Sequence, residues 1–138
     1  MDAFVNAAAQ EVITLHSLVK SWYRGDAEAN PAQLERFLTH FHPAFSMDTP
    51  QGCRHGRDAF AKYLAAAYGT EARINITVDD IKLSQLSPDM AVVHFNEYRV
   101  VNNQRQVRQS TAVFSRGADG NPQWRSLKKT IIDSRQAA

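Results

Sequence analysis

The apolar residues at the start of the chain recur at spacings of three and four. This spacing predicts one amphipathic helix over about residues 1–25, because residues three and four apart lie on the same face of a helix. Gly25 marks the predicted end, since glycine readily takes the left-handed conformation that closes a helix. The predicted buried stripe consists of Val5, Ala8, Val12, Leu15, Val19 and Trp22, widened by Phe4 and Leu18.

Two shorter helices are predicted next. Asn30 is a suitable N-cap for the first of them, and Pro31 suits its first helical position. Pro43 ends it, because a proline inside a helix removes a hydrogen bond and clashes with the preceding turn. The other covers residues 58–68 and ends before Gly69. The side chains predicted to face inward are Leu34, Phe37, Leu38 and Phe41 on one helix and Phe60, Tyr63, Leu64 and Ala67 on the other.

From Arg73 onward the apolar pattern has a period of two, which is typical of strands. The parity changes after Val78, which predicts a β-bulge at Asp79-Asp80. Further strands are predicted over 90–101, 105–115 and 123–132, with a hairpin turn at Asn102-Asn103. Helices followed by antiparallel strands indicate an α+β fold, in which three N-terminal helices pack on one face of a curved, mostly antiparallel sheet. Residues 90–101 are apolar on both parities, so we expect a homodimer to cover the second sheet face.

The segment FLTHFHPAFSMDTPQG, residues 37–52, connects the helical part to the sheet. It predicts a short strand over 45–49 and a turn at 50–52. Side chains alternate along a strand, so Phe45, Met47 and Thr49 share one face while Ser46 and Asp48 share the other. We expect this apolar face to form part of the wall and mouth of a pocket.

Composition excludes several classes of protein. The 138 residues fit one domain, 1–138, and 43% hydrophobic with 22% charged residues are ordinary for a globular protein. The net charge of +2 comes without a basic run, so nucleic acid is not an expected partner. A single cysteine, Cys53, excludes an internal disulfide and fits a reducing compartment. The absence of a signal-peptide pattern and of a long apolar run predicts a cytoplasmic protein without a membrane partner.

The order of these elements resembles that of the NTF2-like superfamily, and its SnoaL-like and DUF4440-like branches in particular. The resemblance implies an NTF2-like (cystatin-like) cone with a pocket for a small hydrophobic molecule. It also implies that three functional groups of the steroid isomerase branch are missing: a carboxylate base, a tyrosine and a protonated aspartic acid. Thr49 stands at the position of the base, and Leu18 and Thr111 stand near the positions of the tyrosine and the aspartic acid. The matching segments are WYRGD at 22–26, FHPAFSMDTPQG at 41–52, HGRDAFAKYL at 55–64, HFNEYRV at 94–100, and RQSTAVF through QWRSLKKT at 108–130.

His94 is the candidate catalytic residue. By the resemblance, the parity of Val92, His94 and Asn96 faces the interior of the cone, where an imidazole could act as a general acid or base. Alternatively, His94 is hydrogen-bonded to a neighbouring strand or lies at a dimer face. Glu97 and Arg99 have the other parity, which predicts a solvated or interfacial ion pair with Arg108 or Lys129. Lys128 could bind an anionic ligand if its face is interior, or else extend towards solvent at the open end.

The aromatic residues of five separate segments are the candidate pocket wall. The alternative is that these side chains fill the cone completely. His40, His42, Cys53 and His55 have spacings that zinc ligands can have, but the turn forced by Pro43 argues against a metal site, and we expect neither a metal nor a bound cofactor. The predicted ligand-binding residues are Trp22, Phe41, Phe45, Met47, Tyr63 and Trp124, with polar groups from Thr49, Asn96 and Thr111.

Three functions follow from these patterns. The first is a small-molecule binding protein of the SnoaL-like/DUF4440-like type. The second is a cofactor-independent enzyme of the isomerase, dehydratase or hydrolase type that uses His94 in the same pocket. The third is a non-catalytic dimeric interaction module.

Overall fold

The computed structural model describes residues 3–26 and 30–136. Within these residues the chain forms three helices and then, apart from two early strands, a run of four long strands, which confirms the predicted α+β fold. The helices are α1 (Ala3–Arg24), α2 (Pro31–Leu38) and α3 (Arg57–Ala67). The strands are β1 (Phe41–Asp48), β2 (Arg54–Gly56), β3 (Asn75–Ser87), β4 (Met90–Val101), β5 (Gln104–Arg116) and β6 (Pro122–Gln136).

All six strands belong to one sheet, in the order β2-β1-β6-β5-β4-β3. Strand β1 runs parallel to β6, and every other pair is antiparallel. A predicted β-bulge and a predicted hairpin turn are confirmed. The ladder between β3 and β4 shifts register between Asp79 and Lys82, and Asn102 and Asn103 both have positive φ angles, 49° and 65°, as a two-residue hairpin turn requires.

Helix α1 packs its apolar face on the inner face of the sheet. Val5, Ala8 and Val12 are completely buried, and Trp22 donates a hydrogen bond of 2.6 Å from Nε1 to the carbonyl of Leu64 in α3. Leu18, which was predicted to widen the buried stripe, is 39% exposed, while His16 is buried in the same helix. His16, the buried polar residue of this helix, therefore lies towards the interior and belongs to the candidate site.

The ends of α1 and α3 meet closely. Gly25 has a φ of 76°, and a Cβ atom at this position would come within 3.3 Å of the Gly69 Cα atom. The Gly69 amide donates to the Trp22 carbonyl at 3.0 Å. This contact fixes the angle between the two helices, so that a space remains between them and the sheet.

The segment 37–52 differs from the prediction in one respect. Helix α2 ends at Leu38, and Phe41 is the first residue of β1 instead of the last apolar residue of the helix. Pro43 then lies inside the strand, where the register against β6 shifts between Phe41 and Ser46. A proline fits there because it cannot donate to a regular ladder. The short strand β2 was not predicted.

Candidate functional site

A cavity of about 490 Å³ opens between α1, α3, β1 and the inner face of the sheet. Its walls are mostly apolar. The turn after β1 and the exposed side of α3 form its mouth, with Thr49, Ala59 and Tyr63 among the residues there. Most of the apolar wall comes from Leu15, Phe41, Met47, Phe60, Leu64 and Leu127.

The inner end of the cavity is charged. Glu97 on β4 is completely buried, and its Oε1 atom accepts a hydrogen bond of 2.8 Å from Lys129 Nζ on β6. Its Oε2 atom accepts one of 2.9 Å from Arg99 Nε. Burial alone would raise the pKa of Glu97, but the charges of Lys129 and Arg99 outweigh burial and hold this pKa well below its usual range. The carboxylate is therefore ionised, and two cations bind it.

His16 joins this cluster from α1. Its Nδ1 atom lies 2.8 Å from the Val12 carbonyl, which can only accept, so Nδ1 carries the proton. Nε2 is then the acceptor for Lys129 Nζ at 3.1 Å. Burial, and then the positive charge of Lys129, lowers the pKa of His16 to about 3. His16 is thus neutral near pH 7, and the lone pair of its Nε2 atom already accepts the hydrogen bond from Lys129.

Lys129 has a perturbed pKa as well. Burial lowers the pKa of its ammonium group to about 8, although the Glu97 carboxylate acts in the opposite direction. The strands explain its position. Ser110 on β5 pairs with Lys129 in register, so the lysine side chain points to the same inner face as buried Ser110. A lysine in such a setting can lose its proton within the ordinary pH range of enzymes.

Arg108 completes the charged end from β5. It pairs in register with Glu97, and its Nε atom donates a hydrogen bond of 2.6 Å to Gln106 Oε1. Burial, followed by the charge of Arg99, lowers the pKa of the Arg108 guanidinium. Nearby, the hydroxyl groups of Tyr23 and Tyr63 form a hydrogen bond across the cavity between α1 and α3. Burial raises the pKa of Tyr23 to about 12, so its hydroxyl keeps its proton.

The nine predicted ligand-binding residues fall into three groups. Only the first group lines the cavity: Phe41, Met47, Thr49 and Tyr63. Side chains of the second group are packed in the hydrophobic core without lining it: Trp22, Phe45 and Trp124. The third group, Asn96 and Thr111, lies with His94 on the outer face of the sheet.

The predicted orientation of His94 is wrong. Its side chain is exposed, and its Nδ1 atom lies 3.0 Å from Thr111 Oγ1 on the neighbouring strand, which is the alternative that the sequence left open. The inner positions of β4 are Ala91, Val93 and Phe95, followed by Glu97. The prediction followed the resemblance, which placed the parity of Val92, His94 and Asn96 in the interior. Glu97 has the other parity, and its charge is buried and compensated by Lys129 and Arg99.

The expected positions of the other charged residues need correction as well, because Lys129 faces the interior and Lys128 does not. The predicted partner of Glu97, Lys129, is confirmed, but the pair is buried instead of solvated. Lys128 is exposed on the outer face, and Lys129 is the interior lysine. The parity differs from the prediction because the β5–β6 ladder pairs Val113 with Ser126 and Phe114 with Trp124, which leaves one extra residue, Arg125, in β6.

Within the described residues, His40, His42, Cys53 and His55 do not come together as a metal-ligand set. His40 Nδ1 pairs with a carboxylate oxygen of Glu11, and the His42 ring accepts a hydrogen bond from the Ala44 amide. Within residues 3–26 and 30–136, no group of three potential metal-ligating side chains comes together. In the same part of the chain, none of the helices combines the length and the apolar character needed to cross a membrane.

The comparison with known families gives a clear match. The model of the family described as sucrose-6-phosphate phosphohydrolase C-terminal matches residues 8–133. The chain belongs to this family. None of the curated proteins searched matches the sequence. Since this is the family that matches, placement in the SnoaL-like or DUF4440-like branch stays a prediction.

Solved structures confirm the NTF2-like fold of this member of the sucrose-6-phosphate phosphohydrolase C-terminal family. An NTF-2-like protein of unknown function from Pseudomonas aeruginosa has a TM-score of 0.85 at 27% identity, over 92% of this chain and 99% of that chain. A protein with a cystatin-like fold from Caulobacter vibrioides has a TM-score of 0.66 at 18% identity, over 94% and 88%. A candidate dehydratase of the NTF2-like family from Streptomyces avermitilis has a TM-score of 0.68 at 18% identity, over 93% and 98%.

The positions inferred from the steroid isomerase branch agree with the cavity only in part. Thr49 lines it. Leu18 is exposed, and Thr111 is on the outer face of the sheet, so neither occupies a position from which it could reach a bound molecule in the cavity. The residues near which the resemblance places those two positions therefore do not line the cavity, and the absence of the three isomerase groups stays a prediction.

Sequence reasoning did not identify the charged inner end as part of the site. His16 was not singled out, and Arg108 and Lys129 were named only as partners of Glu97 in a solvated or interfacial ion pair. A signal for His16 was present, because it lies one turn after Val12 and one turn before Val19 on a helix face that is otherwise apolar. No local signal identified Lys129, because its orientation depends on the bulge at Arg125.

Proposed function

We propose that this protein binds a small hydrophobic molecule in the cavity between α1, α3, β1 and the sheet. The observation that supports this most directly is the cavity itself, whose walls are mostly apolar and whose volume is about 490 Å³. Binding sites for small molecules are typically concave and apolar with a few polar groups in defined positions, and this cavity has its polar groups at the inner end.

The proposal refines the set of ligand-binding residues. Phe41, Met47, Thr49 and Tyr63 stay in the set, and Leu15, Phe60 and Leu127 join it because they line the cavity. A sugar ligand is less well matched to these walls, since hydroxyl groups against apolar side chains would lose hydrogen bonds to water without replacing them. Sucrose 6-phosphate, which the family description names, therefore serves as a comparison ligand.

A thermal-shift panel tests the proposal. Steroids, polyketide-like aromatics, hydrophobic carbonyl compounds and sucrose 6-phosphate are tested against the wild-type protein, because a ligand that binds only the folded state raises the melting temperature. Ala59→Trp places a large side chain at the mouth of the cavity, whereas Ala65→Trp makes the same change at an exposed position of α3 outside the cavity. Shifts that persist in Ala65→Trp and vanish in Ala59→Trp support the proposal. Shifts that are equal in both variants contradict it.

Catalysis in the same cavity is the second candidate function. Lys129 favours it, because functional sites are enriched in groups whose pKa is moved towards neutrality and its ammonium group faces the cavity with a pKa of about 8. His94 no longer takes part, since it lies outside the cavity. If a member of the panel is converted, Lys129→Met abolishes turnover while the His94→Ala variant retains it. Retained turnover in Lys129→Met contradicts this second candidate.

We also propose that the protein is a homodimer that associates through the outer face of the sheet. Val92 and Val113 support this, because they lie directly opposite each other on that face and are only half-buried in the single chain. A cytoplasmic location likewise remains a proposal that rests on the sequence.

A further inference from the structure

The charges that line the cavity do not balance. Among the described residues, its lining contains three groups with a formal positive charge, Arg99, Arg108 and Lys129, and one carboxylate, that of Glu97. His16 adds no positive charge, because it is neutral. The inner end of an otherwise apolar cavity therefore has an excess of positive charge.

Glu97 is already paired with two cations. Lys129 Nζ donates to its Oε1 atom at 2.8 Å, and Arg99 Nε donates to its Oε2 atom at 2.9 Å. His16 Nε2 lies 3.7 Å from the same Oε2 atom. Arg108 is directly opposite Glu97 in the β4–β5 ladder but makes no ion pair with it. Within the described part of the chain, no carboxylate comes within 4.0 Å of the Arg108 guanidinium, whose recorded partner is the neutral amide of Gln106.

Such an arrangement is unfavourable in the free protein. Arg108 is half-buried, and a partly buried charge without an ionic partner is destabilising, because the apolar surroundings replace part of its water without replacing all of the hydrogen bonds. The lowered pKa of Arg108 has this origin, with burial as the largest cause and the charge of Arg99 as the next. An anion bound beside Arg108 would remove this unfavourable interaction and accept the remaining guanidinium N–H groups.

We infer that the ligand of this cavity is an amphipathic anion, with an apolar body against Leu15, Met47 and Phe60 and a carboxylate or phosphate group beside Arg108. The inference rests on the proposed function, since it concerns the same cavity. Arg108 is the principal anchor, because a guanidinium can donate two parallel hydrogen bonds to a carboxylate or phosphate. Arg99 and Lys129 already bind Glu97 and contribute through their charge.

Isothermal titration calorimetry with three matched compounds tests this inference. The compounds are 2-naphthoate, 2-naphthyl phosphate and 2-naphthamide, which share an aromatic body and differ in the charge of one group. The proteins are the wild type, Arg108→Gln, Arg108→Lys and Lys128→Gln. Lys128 is a matched control, because it is next to Lys129 in sequence but points to the outer face.

We expect at least one of the two anions to bind the wild type more than about tenfold tighter than the amide, which corresponds to about 1.4 kcal/mol. Arg108→Gln removes this preference, Arg108→Lys retains part of it, and Lys128→Gln leaves it unchanged. Arg108→Gln also melts at the same temperature as the free wild type or higher, whereas a purely structural arginine would lower the melting temperature when replaced. The stronger of the two anions identifies the acidic group.

Two results would overturn the inference. Equal binding of anions and amide, blocked by Ala59→Trp, shows that the cavity binds hydrophobic molecules without selecting an anion, so the proposed function stands and this inference fails. Absence of binding by all three compounds, together with a thermal-shift panel without hits, contradicts both.

Discussion

Lys129 Nζ and Glu97 Oε1 lie 2.8 Å apart at the inner end of the cavity, and the side chains that carry them are 3% and 0% exposed. The pair joins β6 to β4 across β5, because both residues point to the inner face of the sheet. It also holds His16 of α1 against the sheet through the hydrogen bond from Lys129. One ion pair thus couples the stability of the fold to the electrostatics of the cavity.

Removing the carboxylate should destabilise the protein strongly. Glu97→Gln leaves Lys129, Arg99 and Arg108 without a compensating negative charge, and breaking a buried ion pair by removing one partner typically costs about 3–5 kcal/mol. Urea denaturation measures the change, and Glu35→Gln on the exposed side of α2 is the control. A change below about 1 kcal/mol for Glu97→Gln would contradict the assigned role of the pair.

The stability of the protein should fall in acid, beginning near pH 6.5. The pKa of His16 is lowered from 6.5 to about 3, so the unfolded chain binds more protons than the folded one between these values, and stability is lost as the pH falls through this window. Glu97, whose pKa is also lowered, adds a loss in the same direction below about pH 4.5. Chemical denaturation as a function of pH measures this.

The variant His16→Met separates the two contributions. It should lose the part of the slope between pH 6.5 and 4.5, while the exposed His94→Gln variant should keep it. If the slope persists in His16→Met, the acid sensitivity has another origin.

The affinity for an anion should decrease above about pH 8. Lys129 loses its proton around this value, and deprotonation removes one of the positive charges near the bound group. The groups that face Lys129 are His16 from α1, Glu97 and Arg99 from β4, and Arg108 from β5. Among these, His16 and Glu97 have pKa values lowered out of this range, and Arg99 has a raised pKa. The pKa of Arg108 is lowered as well, so the decrease is assigned to Lys129 only if the Lys129→Met variant loses it.

Calorimetric titration of 2-naphthoate between pH 7 and pH 10 tests this pH dependence. We expect a constant affinity for the neutral 2-naphthamide over the same range, which controls for changes of the fold. A constant affinity for 2-naphthoate would show that Lys129 does not contribute to anion binding.

The proposed dimer can be tested independently of the cavity. Val92→Glu places a charge on the outer face of the sheet opposite Val113, without touching the cavity. Light scattering after size exclusion should give about twice 15.5 kDa for the wild type and 15.5 kDa for the variant, with unchanged ligand binding. A monomeric wild type would contradict the proposal.

Much of the fold follows from the sequence because its signals are local. The stripe of α1, the N-cap at Asn30, the bulge at Asp79-Asp80 and the Asn102-Asn103 turn each depend on neighbouring residues, and the structure contains all of them. The boundary of β1 was misplaced because Phe41 fits an apolar helix face as well as an apolar strand face.

The candidate site was only partly predictable because its charged end depends on long-range pairing. Glu97 is interior only because Lys129, 32 positions later, is interior too. Lys129 is interior only because β6 has an extra residue at Arg125. The inverted orientation of β4, and with it the expected position of His94, came from the resemblance, which placed the parity of Val92, His94 and Asn96 in the interior.

The proposed ligand site is the cavity between the helices and the inner face of the sheet. Titration of the ¹⁵N-labelled protein with 2-naphthoate, followed through amide chemical shifts, distinguishes this cavity from the outer face. We expect saturable shifts at Met47, Phe60 and Arg108 and none at His94 or Thr111. Shifts confined to His94, Thr111 and their neighbours on the outer face would contradict it.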